Sequence, residues 1–153
     1  MRNGIVFASY KETVAMSQES FGEVCNDFKE KTVLCVDDNG LNQVVIEKIL
    51  QTIGIKTVAV KNGASAVRKL MEGFRPDVIL MDLQMPVMGG VEACELIRKW
   101  YGTSIPIIIN SGCVDEADKE KLTQLGIEDF LEKPYNQSDI FGKLKKNIPQ
   151  LPA

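Results

Sequence analysis

From Thr32 onward the chain alternates short, unbroken apolar runs with longer stretches in which apolar residues recur at spacings of three and four. Val33-Leu34-Cys35-Val36 is the first run. Val45, Ile46, Ile49, Leu50 and Ile53 then recur at helical spacing, with Asn39 placed to cap that helix and Gly54 to close it. Lys56-Thr57-Val58-Ala59-Val60 alternates polar and apolar, as a strand nearer a sheet edge does. Val67, Leu70, Met71 and Phe74 mark a second helix, opened at Asn62 and stopped by Gly73 and Pro76. Val78-Ile79-Leu80-Met81 has the pattern of a strand buried on both faces, and Ala93, Leu96, Ile97 and Trp100 mark the helix after it. Pro106-Ile107-Ile108-Ile109 is a fourth strand, ending at Asn110-Ser111-Gly112. Residues 115–125 read as a helix with a thin apolar face of Ala117, Leu122 and Leu125. Residues 128–131 form a fifth strand. The last helix opens at Asn136, with Asp139 completing part of a capping box, and buries Ile140, Phe141, Leu144 and Ile148.

Five strand-helix units in this rhythm predict an α/β fold: a doubly wound parallel sheet with helices on both faces, since each right-handed crossover must cover the sheet. The ordered domain is expected over residues 31–148, with 149–153 as a short tail. Residues 1–30 form an N-terminal extension in which Ile5-Val6-Phe7 is at most a short strand. A helix capped by Ser17 and carrying Phe21, Val24 and Phe28 is expected there, either docked on the main domain, belonging to an upstream one, or pairing with a second copy.

Composition narrows the chemistry. The net charge of -3 and the lack of a basic stripe argue against direct nucleic-acid binding. No apolar run approaches the roughly 20 residues that span a bilayer, and Met1-Arg2-Asn3-Gly4 opens no signal-peptide core. Cys25, Cys35, Cys94 and Cys113 are scattered, as reduced thiols in a cytoplasmic protein would be. The chain has no histidine, which removes Ser-His-Asp and Cys-His catalysis and the usual zinc sites.

What remains is a set of carboxylates, a hydroxyl and a lysine. In a parallel sheet every strand presents its C-terminal end to one edge, where open α/β sheets bind their ligands. Asp37 and Asp38, Asp82, Ser111 and Lys133 all follow predicted strands and should converge there. Singly, each has an ordinary structural use as a cap or turn residue. Together, three crowded carboxylates need compensation, for which Lys133 and a hard divalent cation such as Mg²⁺ are suited. A carboxylate in that setting can act as a nucleophile toward phosphorus, with Lys133, the cation and Ser111 stabilising the transferred group.

Residues 33–39 (VLCVDDN), 76–90 (PDVILMDLQMPVMGG), 106–112 (PIIINSG) and 130–134 (FLEKP) together resemble a response-regulator receiver domain of two-component signalling, closest to receivers of hybrid histidine kinases. The resemblance implies a flavodoxin-like sheet of order 2-1-3-4-5. It implies a phosphorelay in which Asp82 accepts a phosphoryl group from a histidine kinase or histidine phosphotransfer protein. Mg²⁺ would be held by Asp38, Asp82 and the Gln84 backbone carbonyl, with Asp37 assisting. Lys133 and Ser111 would bind the phosphoryl group, Phe130 would be the switch aromatic, and the bond to Pro134 would be cis. A downstream protein would meet the face made by the fourth helix, fifth strand and fifth helix of the domain, with no membrane insertion. The expected role is a signalling phosphoacceptor rather than an enzyme, promoting only its own phosphorylation and dephosphorylation. The chain is expected to be a stand-alone receiver or the terminal receiver of a longer sensor.

Three positions depart from the family pattern. Gly89 stands where Asp is usual, Asn110 puts a polar residue in an apolar strand position, and Gly112 follows Ser111. Other classes fit less well. A docking module without phosphorylation would not need Asp37, Asp38, Asp82 and Lys133 together. An Asp-nucleophile phosphatase wants a D-x-D pattern after its first strand, and a flavodoxin-like cofactor binder wants a phosphate-cradling loop there, where Asp37-Asp38 would repel the phosphate.

Overall fold

The computed structural model describes residues 18–148, so Ile5-Val6-Phe7, Ser17, Pro149 and Pro152 lie outside it, as do the side chains of Phe21 and Val24. Within it the order is α1 (Gln18–Asp27), β1 (Thr32–Val36), α2 (Gly40–Gln51), β2 (Lys56–Val60), α3 (Gly63–Met71), β3 (Val78–Met81), α4 (Gly90–Tyr101), β4 (Ile107–Ser111), α5 (Glu116–Gln124), β5 (Asp129–Glu132) and α6 (Gln137–Asn147). The five strands pair in parallel in the order β2-β1-β3-β4-β5, as the family resemblance implied.

Two apolar layers sandwich the sheet. On one face Ala66, Val67 and Leu70 of α3, Ala93, Cys94 and Ile97 of α4 and Leu122 of α5 pack on Leu34, Val36, Ile79, Met81, Ile107 and Ile109. On the other, Ile46 and Leu50 of α2 and Ile140, Phe141 and Leu144 of α6 pack on Val33, Cys35, Val78, Leu80 and Ile108. The inner strands carry apolar side chains on both faces over Val33–Val36, Val78–Met81 and Ile107–Ile109, whereas β2, at the edge, buries only Val60 fully. Phe28 joins the second layer at 1% exposure, so the core takes in a residue from the N-terminal extension.

The helical stripes are narrower than the spacing suggests. Val45, Met71 and Trp100 face solvent although each was expected inside. Each lies beyond the line of its helix's most buried residues, and one position turns a side chain by about 100°. Small residues, Ala66, Ala93 and Cys94, are fully buried in the layer against the sheet instead. The strand ends also shift: β4 continues through Asn110 and Ser111, because Asn110 pairs with Leu131 and Ser111 with Glu132 across the ladder to β5. The Asn136–Asp139 capping box of α6 is complete.

Candidate functional site

Parallel hydrogen bonding continues one residue past three strands, and that fixes the polar side chains at the edge. Asp37 N–H donates to Val60 O at 3.1 Å, Asp82 N–H to Val36 O at 2.9 Å, and Lys133 N–H to Ser111 O at 3.0 Å. Each side chain thus leaves from backbone held by the sheet rather than from a free loop. Asp37, Asp38 and Asp82 bring carboxylate oxygens within 4.8 Å of one another.

Their surroundings differ. Asp37 is fully buried and its oxygens are occupied. Oδ1 accepts from Asn39 N–H at 2.9 Å, and Oδ2 accepts from Asn42 Nδ2 at 3.3 Å and from Lys133 Nζ at 3.3 Å. Asp38 is exposed. Asp82 is 7% exposed, with Oδ1 facing Gln84 N–H at 3.4 Å and Oδ2 at 3.9 Å from Lys133 Nζ. Burial pushes the Asp82 carboxyl above its ordinary range; the Lys133 charge opposes this and the Asp37 charge adds to it.

One ammonium therefore faces three carboxylates, and all the donors offered to a cation are hard oxygens. That set suits a small divalent cation such as Mg²⁺. The thiols do not compete: burial pushes Cys35 and Cys94 up to about 12, so neither is a thiolate near neutral pH.

The loop after Asp82 is closely fitted. A Cβ on Gly90 would strike the Asp82 carbonyl and come within 2.8 Å of Leu83 Cα. Gly89 is the N-cap of α4 without a side-chain hydrogen bond, and Gly63 N–H ties the loop to α3 through Met88 O at 3.0 Å. Val87, at φ 70° and 85% exposed, stands at its tip.

Ser111 is 2% exposed, and its hydroxyl donates to Cys113 O at 3.2 Å. Phe130 lies half-buried on the same sheet face, packed against the first apolar layer, with Lys119 Nζ 6.0 Å from its ring centroid. The Lys133–Pro134 peptide bond is cis. Three supports were not foreseen. Asn42 helps hold the Asp37 carboxylate. Gln43 Nε2 donates to both Asp37 O at 2.7 Å and Val60 O at 2.8 Å. Tyr135 packs against the second apolar layer one residue past the cis Lys133–Pro134 bond. Polar residues at the start of α2 were the only available signal for the first two.

Among the described residues no helix is long and apolar enough to cross a membrane. A family model described as the response regulator receiver domain matches residues 33–145. The chain is 38% identical over 113 residues to the sensor histidine kinase GacS of Pseudomonas protegens; the match covers 71% of this chain but 12% of that protein. It is 36% identical over 115 residues to the two-component response regulator 24 of Arabidopsis thaliana, covering 75% of this chain and 82% of the relative. Among solved structures, the receiver domain of a sensor histidine kinase from Pseudomonas aeruginosa PAO1, with magnesium ion coordinated in its active site cleft, is 36% identical with a TM-score of 0.69 over 78% of this chain and 98% of that one. The Vibrio cholerae chemotaxis protein CheY4 is 27% identical with a TM-score of 0.71, covering 77% and 98% respectively.

Proposed function

This chain belongs to the response regulator receiver domain family, and from that premise we propose that its phosphoacceptor is Asp82. The observation that carries the reading is the set of three carboxylates and one lysine fixed at the sheet edge, with Asp82 Oδ2 3.9 Å from Lys133 Nζ. An Asp82 oxygen attacks the phosphorus of a phosphohistidine on a partner protein. The phosphorus–nitrogen bond breaks, and its electron pair returns to the donor imidazole. The donor is supplied in trans, because this chain has no histidine. In the reverse sense of signalling, water attacks the acyl phosphate and releases inorganic phosphate. These two steps are the only catalysis assigned to it.

Mg²⁺ would be held by Asp38, Asp82 and the Gln84 carbonyl, with Asp37 behind them, and when bound it supplies charge neutralisation around the phosphoryl oxygens. Asp37 serves mainly to hold Lys133, with which it makes the closest ion pair of the cluster. Lys133 turns toward the phosphoryl group as negative charge arrives. Ser111 exchanges its bond to Cys113 O for one to a phosphoryl oxygen, and Phe130 turns into the space released. The groove between β5 and α6, lined by Phe130, Tyr135, Lys143 and Lys146, is the part of the α5–β5–α6 face on which that change is read by a downstream protein. The donor is a histidine kinase or histidine phosphotransfer protein, and the setting is cytoplasmic.

The test is the intact mass after incubation with acetyl phosphate. With Mg²⁺ the chain gains the mass of one phosphate, and with a chelator it gains none. No gain under either condition overturns the proposal.

A further inference from the structure

The sheet-facing stripe of α2 runs through Ile46 and Leu50, and one turn earlier the same stripe holds Gln43, an amide rather than an apolar residue. Long side chains on a helix lean toward its N-terminal end, and α2 begins at the edge that gathers the carboxylates. Gln43 is half-buried there, and its Nε2 donates to Asp37 O at 2.7 Å and to Val60 O at 2.8 Å. The hydrogens of one amide group are thus divided between the ends of β1 and β2.

β1 and β2 pair as far as Val36 and Val60, and Asp37 N–H adds one further rung to Val60 O at 3.1 Å. Beyond Val60 the chain turns into α3, capped by Asn62, so β2 does not carry the ladder on. Gln43 supplies the next rung from a side chain. The carbonyl it holds belongs to the peptide that joins Asp37 to Asp38, and a peptide group is planar. Fixing that oxygen fixes the plane from which both residues depart. The Asp37 carboxylate has other holds, from Asn39 N–H, Asn42 Nδ2 and Lys133 Nζ. Asp38 is exposed, and among the described residues no hydrogen bond or ion pair restrains its carboxylate. Its backbone is what places it.

We propose that Gln43 is the positioning residue for Asp38, presenting that carboxylate to a divalent cation beside Asp82. This rests on the reading of Asp38 and Asp82 as cation ligands. Gln43 acts through the Asp37–Asp38 peptide and not by contact with the cation. The same bonds anchor α2 on the sheet, so the test has to separate the two roles.

It measures Mg²⁺ affinity by NMR titration of backbone amides at the sheet edge, together with melting temperature in chelator. Gln43→Met keeps the length of the side chain and removes both donated bonds. It is expected to bind Mg²⁺ about tenfold more weakly, the usual loss when a group that orients a ligand is removed. The Mg²⁺ concentration that half-saturates phosphorylation by acetyl phosphate should rise by the same factor. In an Asp38→Asn background Gln43→Met should cost little further affinity, since the carboxylate it positions is gone. A helix anchor alone would lower the melting temperature and leave Mg²⁺ affinity unmoved. Gln43→Asn, whose amide is one methylene short of the two carbonyls, should weaken Mg²⁺ binding in the same direction and serves if Gln43→Met does not fold. A folded variant with native Mg²⁺ affinity, or an equal loss with and without the Asp38 carboxylate, overturns the proposal while Asp82 stands. A native chain that binds no Mg²⁺ overturns both the proposal and the reading of Asp38 as a ligand.

Discussion

Val87 shows how the site is held at the scale of one residue. A β-branched side chain at φ 70° is sterically strained, and at 85% exposure it gains no packing in return. The turn that imposes this conformation lies between Pro86 and Met88, where Met88 N–H bonds Pro86 O at 2.9 Å and Gly63 N–H bonds Met88 O at 3.0 Å. Val87→Gly should therefore raise stability by about 1 kcal/mol after allowing for glycine's extra freedom in the unfolded chain. Urea unfolding checks this, and a loss of stability would contradict the strain assigned to the loop. Asp37, Asp82, Ser111 and Lys133 were legible because strand ends in a parallel sheet share an edge. Asn42, Gln43 and Tyr135 were not, because their roles depend on side-chain direction and register rather than on position along the chain. Gly89, a departure from the family pattern, leaves α4 without a side-chain cap, yet the backbone bond from Gly90 N–H to Leu83 O at 3.0 Å closes the loop.

Elements are joined at the end of the chain by a carboxylate at the start of β5. Asp129 is 6% exposed and accepts from Lys143 Nζ at 3.3 Å, Lys146 Nζ at 2.9 Å and Asn147 Nδ2 at 3.0 Å, fastening α6 to the sheet. Burial alone would raise its carboxyl, but the hydrogen bonds from Lys146, Asn147 and Lys143 outweigh that and hold it below the ordinary 3.8. A group depressed in the folded state contributes stability that is complete above its unfolded value and is lost as pH falls through the folded one. Asp129→Asn should thus cost about 1 kcal/mol near neutral pH, the two lysines being partly solvated. The difference from the native chain should close as pH drops below 3.8. Thermal melts across that range check it, and a gap that widens in acid would contradict the assignment. Caps at Asn39, Asn62 and Asn136 were readable because capping is local. The ends of β4 and β5 were not, because the pairing of Asn110 with Leu131 and of Ser111 with Glu132 joins residues far apart in sequence.

The whole molecule sets its polar site at the edge between the two faces of one sheet. Ser111 and Phe130 lie on the face covered by α3, α4 and α5, while Asn110 and Tyr135 lie on the face covered by α2 and α6. The edge between them gathers Asp37, Asp38, Asp82 and Lys133. The alternation of strands and helices predicts a parallel sheet, but the order β2-β1-β3-β4-β5 follows from the family resemblance, since hydrophobic periodicity does not say which strands are neighbours. Everything proposed for this architecture depends on Asp82 as the atom donor to phosphorus. The direct test is borohydride reduction of the chain after Mg²⁺ and acetyl phosphate, which converts a phosphorylated aspartate to homoserine, followed by peptide mass spectrometry with Asp82→Ala as control. The modification is expected at position 82 alone and absent in Asp82→Ala; modification elsewhere, or phosphate gain that persists in Asp82→Ala, would contradict the account.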